Sequence, residues 1–332
     1  MKTSLFNVTN LIDNNPGCRA TISGLKSVIK YDLIYEVPLG FGYDVFQSKM
    51  FSFKNFKSSY HSLLKKEVLQ KCIRNTDLWI INGEGTIHSK SIGEKVLLTI
   101  AKIGQKNRKK VFIVNASFHD LGYENLKILR YCNIFTREVE SHNYLNSNGI
   151  RSKLVLDCAF LSKFNKVSKT QNQCLYTPGV LFSHGKKKQT YSTEELLMKH
   201  FQAIKAKYDT PYFLQIENAE NNLVELWKNE GGKVINSARY SVAGLIEEIS
   251  RFELLVSGRY HILVFAIMTK TQAIPLNSNT RKIQGLYKYF NSDIDNKIQN
   301  VFSDDLNLKE PIKIETSLDR IREEIRLAYL NL

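Results

Sequence analysis

Long apolar runs are missing from this chain. The longest, Ile262 to Met268, is far too short to cross a bilayer. The opening segment, Met1 to Thr9, is broken by polar residues and has neither a signal-peptide core nor a cleavage site. Cysteine is scarce as well: Cys18, Cys72, Cys132, Cys158 and Cys174 are widely spaced, odd in number and without a Cys-x-x-Cys pair. That usage excludes a disulfide framework and reads as reduced, small hydrophobes of a cytoplasmic protein. No His-x-x-x-His or acidic pair has ligand spacing, so no metal is expected. A Gly-x-Ser-x-Gly elbow and a Walker A loop are both absent, which removes Ser-triad hydrolysis and P-loop chemistry. Carboxylates are in deficit: Lys+Arg of 47 against Asp+Glu of 32 leaves a net charge of +15 and a pI near 9.4.

Such a field selects anionic partners: phosphorylated small molecules, acidic glycans, an anionic membrane surface or nucleic acid. The tightest basic clusters, Arg108-Lys109-Lys110 and Lys186-Lys187-Lys188, are short, and no zinc-finger spacing or RNP-type aromatic motif accompanies them. Nucleic acid is therefore not an expected partner. Peripheral contact with the inner face of the cell membrane is.

What is present is a rhythm. With 332 residues, 43% of them hydrophobic, the chain can bury a large core as two domains. Strand-like and helix-like segments alternate almost throughout, which predicts α/β units on parallel sheets. Strands are expected at Leu5–Val8, Asp32–Val37, Leu78–Ile81, Val111–Asn115, Ile134–Thr136 and Leu154–Asp157, with helices near Arg19–Ile29, His61–Arg74, Gly93–Gln105 and Val139–Asn146. Residues Pro38–Ser59, rich in Gly and Phe, break the rhythm as an irregular insertion. The polar stretch Lys163–Gln173 marks a domain boundary, after which the alternation resumes to a helix beginning at Ile283. The segments are thus 1–165, 170–315 and a C-terminal helix at 316–332 that packs on the body through Leu318, Ile321, Ile325, Ala328 and Tyr329. The fold class is α/β, two Rossmann-like domains facing across a cleft, with ligands at the carboxyl ends of the strands.

Several strand ends carry chemistry. Glu253 to Ala266 reads as a buried strand, a Ser257-Gly258 turn, and a helix whose first turn holds Arg259 and His261. A fixed cation beside an imidazole at a helix start suits an anionic substrate and proton transfer, although a surface Arg and a core His fit the pattern equally. Asn82-Gly83-Glu84-Gly85-Thr86 places Glu84 between two glycines, as an acid/base toward a ligand, as a binder of acceptor hydroxyls, or as a solvated turn residue. His119, in Asn115-Ala116-Ser117-Phe118-His119-Asp120, supplies a proton, binds acceptor hydroxyls, or is an ordinary loop residue. Asn15-Pro16-Gly17 brings backbone N–H groups to an anion or merely starts a helix. Ser278, Asn279 or Thr280 caps a helix whose first turn carries Lys282, a cation set against the helix dipole. His184 and Lys186–Lys188 form a polar loop, read as a solvated face.

Taken in order, these pieces resemble the polysaccharide pyruvyl transferase family. They are Asn15-Pro16-Gly17, Asn82 to Thr86, Thr136-Arg137-Glu138-Val139-Glu140-Ser141, Asp157-Cys158-Ala159-Phe160, Ser257 to His261 and Ser278 to Lys282, spanning roughly residues 5 to 290. The resemblance implies a GT-B kind of fold and transfer of pyruvate from phosphoenolpyruvate, a co-substrate rather than a cofactor, to a sugar. The acceptor it implies is a surface-glycan or lipid-linked precursor, and the product a cyclic ketal. Residues 1–165 would be the acceptor side and 170–315 the donor side. Arg259 would hold the donor's phosphate or carboxylate, and His261 would be the general acid or hold the donor. From the residue reading above rather than the resemblance, Glu84 and His119 join His261 as candidate catalytic groups. Asn15, Gly17, Gly83, Gly85, Thr86, Arg137, Ser278, Asn279 and Lys282 would bind substrate. Many relatives carry three glycines where this chain has Gly83-Glu84-Gly85, and some carry a smaller residue than Tyr260. Two other readings stay open: a GT-B glycosyltransferase using a nucleotide sugar, whose usual ribose-gripping Glu has no clear counterpart, and a sugar-binding protein without turnover.

Overall fold

The computed structural model describes residues 1–8, 15–30, 32–42, 45, 56–89, 91–180, 192–290 and 294–330. Asn14, most of the Pro38–Ser59 insertion and the His184/Lys186–Lys188 loop lie outside the described residues. The chain divides into two compact units: Met1–Ile12, Leu25–Asp157 and Glu324–Leu332 in the first, Asp13–Gly24 and Cys158–Glu323 in the second.

In the first unit the strands are β1 (Thr3–Phe6), β2 (Leu33–Val37), β3 (Leu78–Asn82), β4 (Ile87–His88), β5 (Lys110–Ala116), β6 (Phe118–His119), β7 (Asn133–Thr136) and β8 (Lys153–Leu154). The helices in this stretch are α1 (Pro16–Val28), α2 (Phe56–Leu64), α3 (Glu67–Asn75), α4 (Ile92–Lys106), α5 (Tyr123–Leu129) and α6 (Val139–Ser147). Six strands form one sheet in the order β2-β1-β3-β5-β7-β8, and β4 pairs with β6 in a separate ribbon. In the second unit β9 (Gln173–Thr177), β10 (Thr210–Gln215), β11 (Lys233–Asn236), β12 (Leu254–Ser257) and β13 (Gln272–Pro275) order as β11-β10-β9-β12-β13. Its helices are α7 (Thr193–Lys205), α8 (Asn221–Asn229), α9 (Val242–Arg251) and α10 (Tyr260–Thr269), then α11 (Lys282–Lys288) and α12 (Leu318–Tyr329). Helices α1 and α12 each contribute residues to both units.

Every pairing in both sheets is parallel. Buried central strands account for their apolar sequences: all five residues of β3 and all four of β12 are buried, whereas the edge strand β2 alternates. Strand order reverses between β1 and β3 in the first sheet and between β9 and β12 in the second. Those are the switch points at which open α/β sheets bind ligands beyond their carboxyl ends. The expected α/β, Rossmann-like, two-domain class is what the structure has.

Around Trp227 the second core is aromatic. Tyr176 stacks on it at 5.3 Å and 9°, and Phe201 meets it edge-on at 4.8 Å. In the first core, Trp79 packs on Phe6 at 4.9 Å and donates its Nε1–H to Thr76 Oγ1 at 3.1 Å. Helix α10 is apolar all round because it is buried from Ile262 to Met268. In α12, Ile321, Ile325, Ala328 and Tyr329 are buried, and Tyr329 meets the Phe135 ring edge-on at 5.4 Å. The expected His61–Arg74 helix is two helices, α2 and α3. The expected Leu154–Asp157 strand keeps only its first residue in β8, because the chain leaves the ladder to bring Asp157 to Arg137 at 3.1 Å and then turns through Cys158–Leu161.

Glu138 caps α6, accepting from the Ser141 backbone N–H at 3.0 Å and from the Ser141 hydroxyl. Burial pushes its carboxyl from the ordinary 4.5 up to about 7. The folded protein therefore holds a proton that the unfolded chain has released, so stability falls as pH rises from about 4.5 toward about 7. Glu138→Gln is expected to flatten that slope. Urea midpoints measured at pH 5 and pH 8 will differ less in the variant than in the parent; an unchanged difference assigns the slope to another group.

Candidate functional site

At the carboxyl end of the second sheet, β12 ends at Ser257, whose hydroxyl accepts from the Arg259 backbone N–H at 3.0 Å. Gly258 sits so close to the preceding loop that a Cβ there would lie 2.2 Å from the Pro178 carbonyl oxygen. Arg259 is the extended N-cap of α10. The residue is only 6% exposed, and its guanidinium is gripped by two carboxylates, Glu217 Oε1 at 2.6 Å and Glu220 Oε1. Glu220, fully buried, also accepts from the Ile216 and Glu217 backbone N–H groups at 2.7 and 3.1 Å. Arg259 is thus a buried cation tying the turn after β10 to the start of α10, where the sequence alone left a donor-binding guanidinium and a surface arginine both open.

His261, in the first turn of α10, is half-buried. One ring nitrogen, Nε2, lies 3.0 Å from Thr21 Oγ1 on α1. The ring lies against the backbone of Gly17, where a Cβ would stand 2.2 Å from Nδ1. Only glycine leaves room for the imidazole. Asn15 caps the same helix start, its Oδ1 accepting from Gly17 N at 3.0 Å, and Pro16 holds the first helical position. Asn15, Gly17 and His261, far apart in sequence, thus meet in the second unit.

Further along that edge, the Ser278 hydroxyl donates to Asn279 Oδ1 at 3.2 Å, and Lys282 Nζ donates to the same oxygen at 3.0 Å. Four buried polar atoms at or just beyond the ends of β9, β11, β12 and β13 lack a hydrogen-bond partner: Thr177 Oγ1, Ser237 Oγ, Arg259 Nε and Thr280 Oγ1. Buried polar groups are ordinarily paired. Unpartnered atoms also occur elsewhere among the described residues, at Arg19 Nε, Thr99 Oγ1 and Gln284 Oε1.

In the first unit the strand ends carry an asparagine network. Asn82 Nδ2 donates to Glu84 Oε1 at 2.7 Å, Asn115 Nδ2 donates to Asn82 Oδ1 at 3.1 Å, and Asn7 Nδ2 donates to the Asn82 carbonyl. Tyr329 adds its hydroxyl to Asn115 Oδ1 at 3.4 Å. Asn7, Glu84, Asn115 and Asp120 all have positive φ, at 61°, 44°, 50° and 49°. Asn and Asp tolerate that conformation; for Glu84 it is a strain of order 1 kcal/mol, of the kind that clusters at functional sites. Gly83, Gly85 and Thr86 complete the turn, with Thr86 N donating to the Gly83 carbonyl at 3.1 Å. His119 lies opposite His88 in the β4–β6 ribbon, partly exposed. Arg137, directly after β7, is 1% exposed and bonds Asp157 at 3.1 Å and Ser117 Oγ at 2.8 Å, and the Ser117 backbone N–H donates to the Glu84 carbonyl at 2.8 Å.

Sequence reading missed Asn7, Thr21, Glu217 and Glu220. The Glu217/Glu220 spacing of three, directly after a strand, was the available signal; nothing local pairs Thr21 with a histidine 240 residues away. Among the described residues no group of three or more His, Cys, Asp or Glu side chains is placed to hold a metal, and no helix is long and apolar enough to cross a membrane.

No curated protein sequence matches the chain. Solved structures resemble it in fold. An S. aureus MnaA–UDP co-structure has 13% identity and a TM-score of 0.58 over 98% of this chain and 90% of its own. The Methanocaldococcus jannaschii UDP-GlcNAc 2-epimerase in complex with UDP-GlcNAc and UDP has 12% identity and 0.55 over 99% and 100%. The UDP-N-acetylglucosamine 2-epimerase from Rickettsia bellii has 10% identity and 0.52 over 100% and 95%. All are GT-B-like, and the likeness concerns the fold alone. The model of the polysaccharide pyruvyl transferase family matches residues 20–280. With that match across most of its length, the chain belongs to the polysaccharide pyruvyl transferase family and is a transferase.

Proposed function

We propose that this transferase moves the pyruvyl group of phosphoenolpyruvate onto two hydroxyls of a cell-surface or lipid-linked glycan precursor. The observation that carries the reading is His261, held by Thr21 and bedded on Gly17 at the edge where buried polar atoms stand orphaned. In this reading His261 protonates C3 of the donor as an acceptor oxygen bonds to C2. The second hydroxyl then displaces phosphate from C2 and closes the ketal. One hydroxyl proton returns to His261; the other leaves with inorganic phosphate. The backbone N–H groups opening α10, with Lys282 on the same sheet edge, receive the donor's negative charge. Arg259 acts through its clamp on Glu217 and Glu220, which fixes where α10 begins. Glu84 and its asparagine network receive acceptor hydroxyls, with His119 beyond them.

The UDP complexes among the fold relatives favour one rival, a nucleotide-sugar donor. Incubating the protein with a glycan acceptor extract and phosphoenolpyruvate is expected to release inorganic phosphate in step with a pyruvylated product seen by mass spectrometry. Thermal stabilisation by UDP, with no phosphate release from phosphoenolpyruvate, would replace this reading with the rival.

A further inference from the structure

The other end of the first sheet carries a second, unassigned feature. Lys110, Asn133 and Lys153 are the first residues of β5, β7 and β8, so they mark the amino-terminal ends of the strands, opposite the Asn82–Glu84 network. A cavity of about 740 Å³ opens there. Four exposed cations line it, Lys110, Arg130, Arg151 and Lys153, and no lining residue is acidic. Its wall is aromatic: Phe112 and Phe135 lie 6.0 Å apart, with Lys110 Nζ 5.0 Å above one ring and Lys153 Nζ 5.8 Å above the other.

Its surroundings are equally unusual. Tyr131, between the lining residues Arg130 and Cys132, is 77% exposed; Leu327, beside the lining Ala328, is 51% exposed, and Leu330 is 41%. Cations with exposed aromatic and aliphatic side chains make the composition of a membrane-surface anchor, where apolar tips enter the headgroup layer and cations meet anionic lipid. A site for a small soluble anion has no need of exposed apolar side chains on the segments that carry its lining residues.

We infer that this face docks the protein on an anionic membrane surface, with the cavity between Arg130, Arg151 and Lys153 receiving a phosphorylated lipid headgroup. The inference gives the charge-based expectation of membrane contact a location and does not depend on the identity of the donor. Docking through the strand starts keeps the Asn82–Glu84 edge clear of the lipid by the length of β5, roughly 20 Å.

Vesicle flotation tests it, using the full chain with phosphatidylglycerol-containing vesicles and with pure phosphatidylcholine. The wild type is expected to float with the anionic vesicles and not with phosphatidylcholine, and to detach as salt is raised. Arg130→Gln/Arg151→Gln/Lys153→Gln is expected to lower partitioning on the order of 100-fold, about 5-fold per cation removed. Tyr131→Ser/Leu327→Ser is expected to weaken binding with no change in charge. A control removing three exposed cations elsewhere, Lys228→Gln/Lys233→Gln/Lys309→Gln, separates the site from overall charge. Equal loss in that control, undiminished flotation of the triple variant, or no flotation of the wild type overturns the inference. So does full displacement of the wild type by millimolar triphosphate combined with indifference to Tyr131→Ser/Leu327→Ser, which would make the cavity a soluble-anion site.

Discussion

His261→Gln is expected to lower phosphate release from phosphoenolpyruvate by at least about 100-fold while leaving the thermal midpoint close to that of the parent. A positioned general acid contributes roughly 10²- to 10⁴-fold, and glutamine keeps a hydrogen-bonding amide near Thr21 but cannot deliver the proton. The ring is half-buried rather than core, so its loss removes little packing. Gly17→Ala serves as the companion experiment. It leaves the imidazole in the protein but drives a methyl group to within 2.2 Å of Nδ1, so the ring has to move. Gly17→Ala is expected to lose activity in the same direction. Turnover at the parent level in both variants would remove His261 from the reaction.

Arg259→Ala is the second large effect, and it is first an effect on folding. The guanidinium is the cation facing Glu220, which is fully buried, and Glu217, which is about one-third exposed. Deleting one partner of a buried pair leaves an uncompensated charge, at a cost of about 3–5 kcal/mol. The urea midpoint of Arg259→Ala is therefore expected to fall sharply, with partial recovery in Arg259→Ala/Glu220→Gln. A midpoint equal to the parent's, accompanied by a raised KM for phosphoenolpyruvate, would return Arg259 to direct contact with the donor. The two predictions separate the proposed roles of neighbours: proton transfer for His261, and for Arg259 the fixing of the segment on which His261 stands.

Much of the fold was readable from pattern alone. Continuous apolar segments such as Leu78–Asn82 and Leu254–Ser257 lie in sheet interiors covered on both faces, and such burial leaves no alternation. Short helices were harder. Tyr123–Leu129 has only about two turns of apolar spacing to announce it, and the break between α2 and α3 at Lys65–Lys66 interrupts a pattern that is otherwise periodic. Among site residues, the motif members Asn15, Gly17 and His261 were singled out locally and meet in space. Arg137 entered only through the family resemblance and is buried against Asp157 and Ser117; an arginine next to a strand end serves an internal carboxylate as readily as a ligand.

Composition and order along the chain determined that this is a basic α/β protein with parallel strands and glycine-containing turns at Asn82–Thr86 and Ser257–His261, since burial pattern and turn chemistry are local properties. Tertiary structure alone decided which strands are neighbours, and therefore where each sheet reverses its order: β1 beside β3, β9 beside β12. It also decided that Arg259 is neutralised by Glu217 and Glu220, and that the imidazole of His261 rests on Gly17. Those outcomes depend on contacts between segments tens to hundreds of residues apart, whose formation is governed by the packing of whole sheets and helices and leaves no periodic trace in the chain.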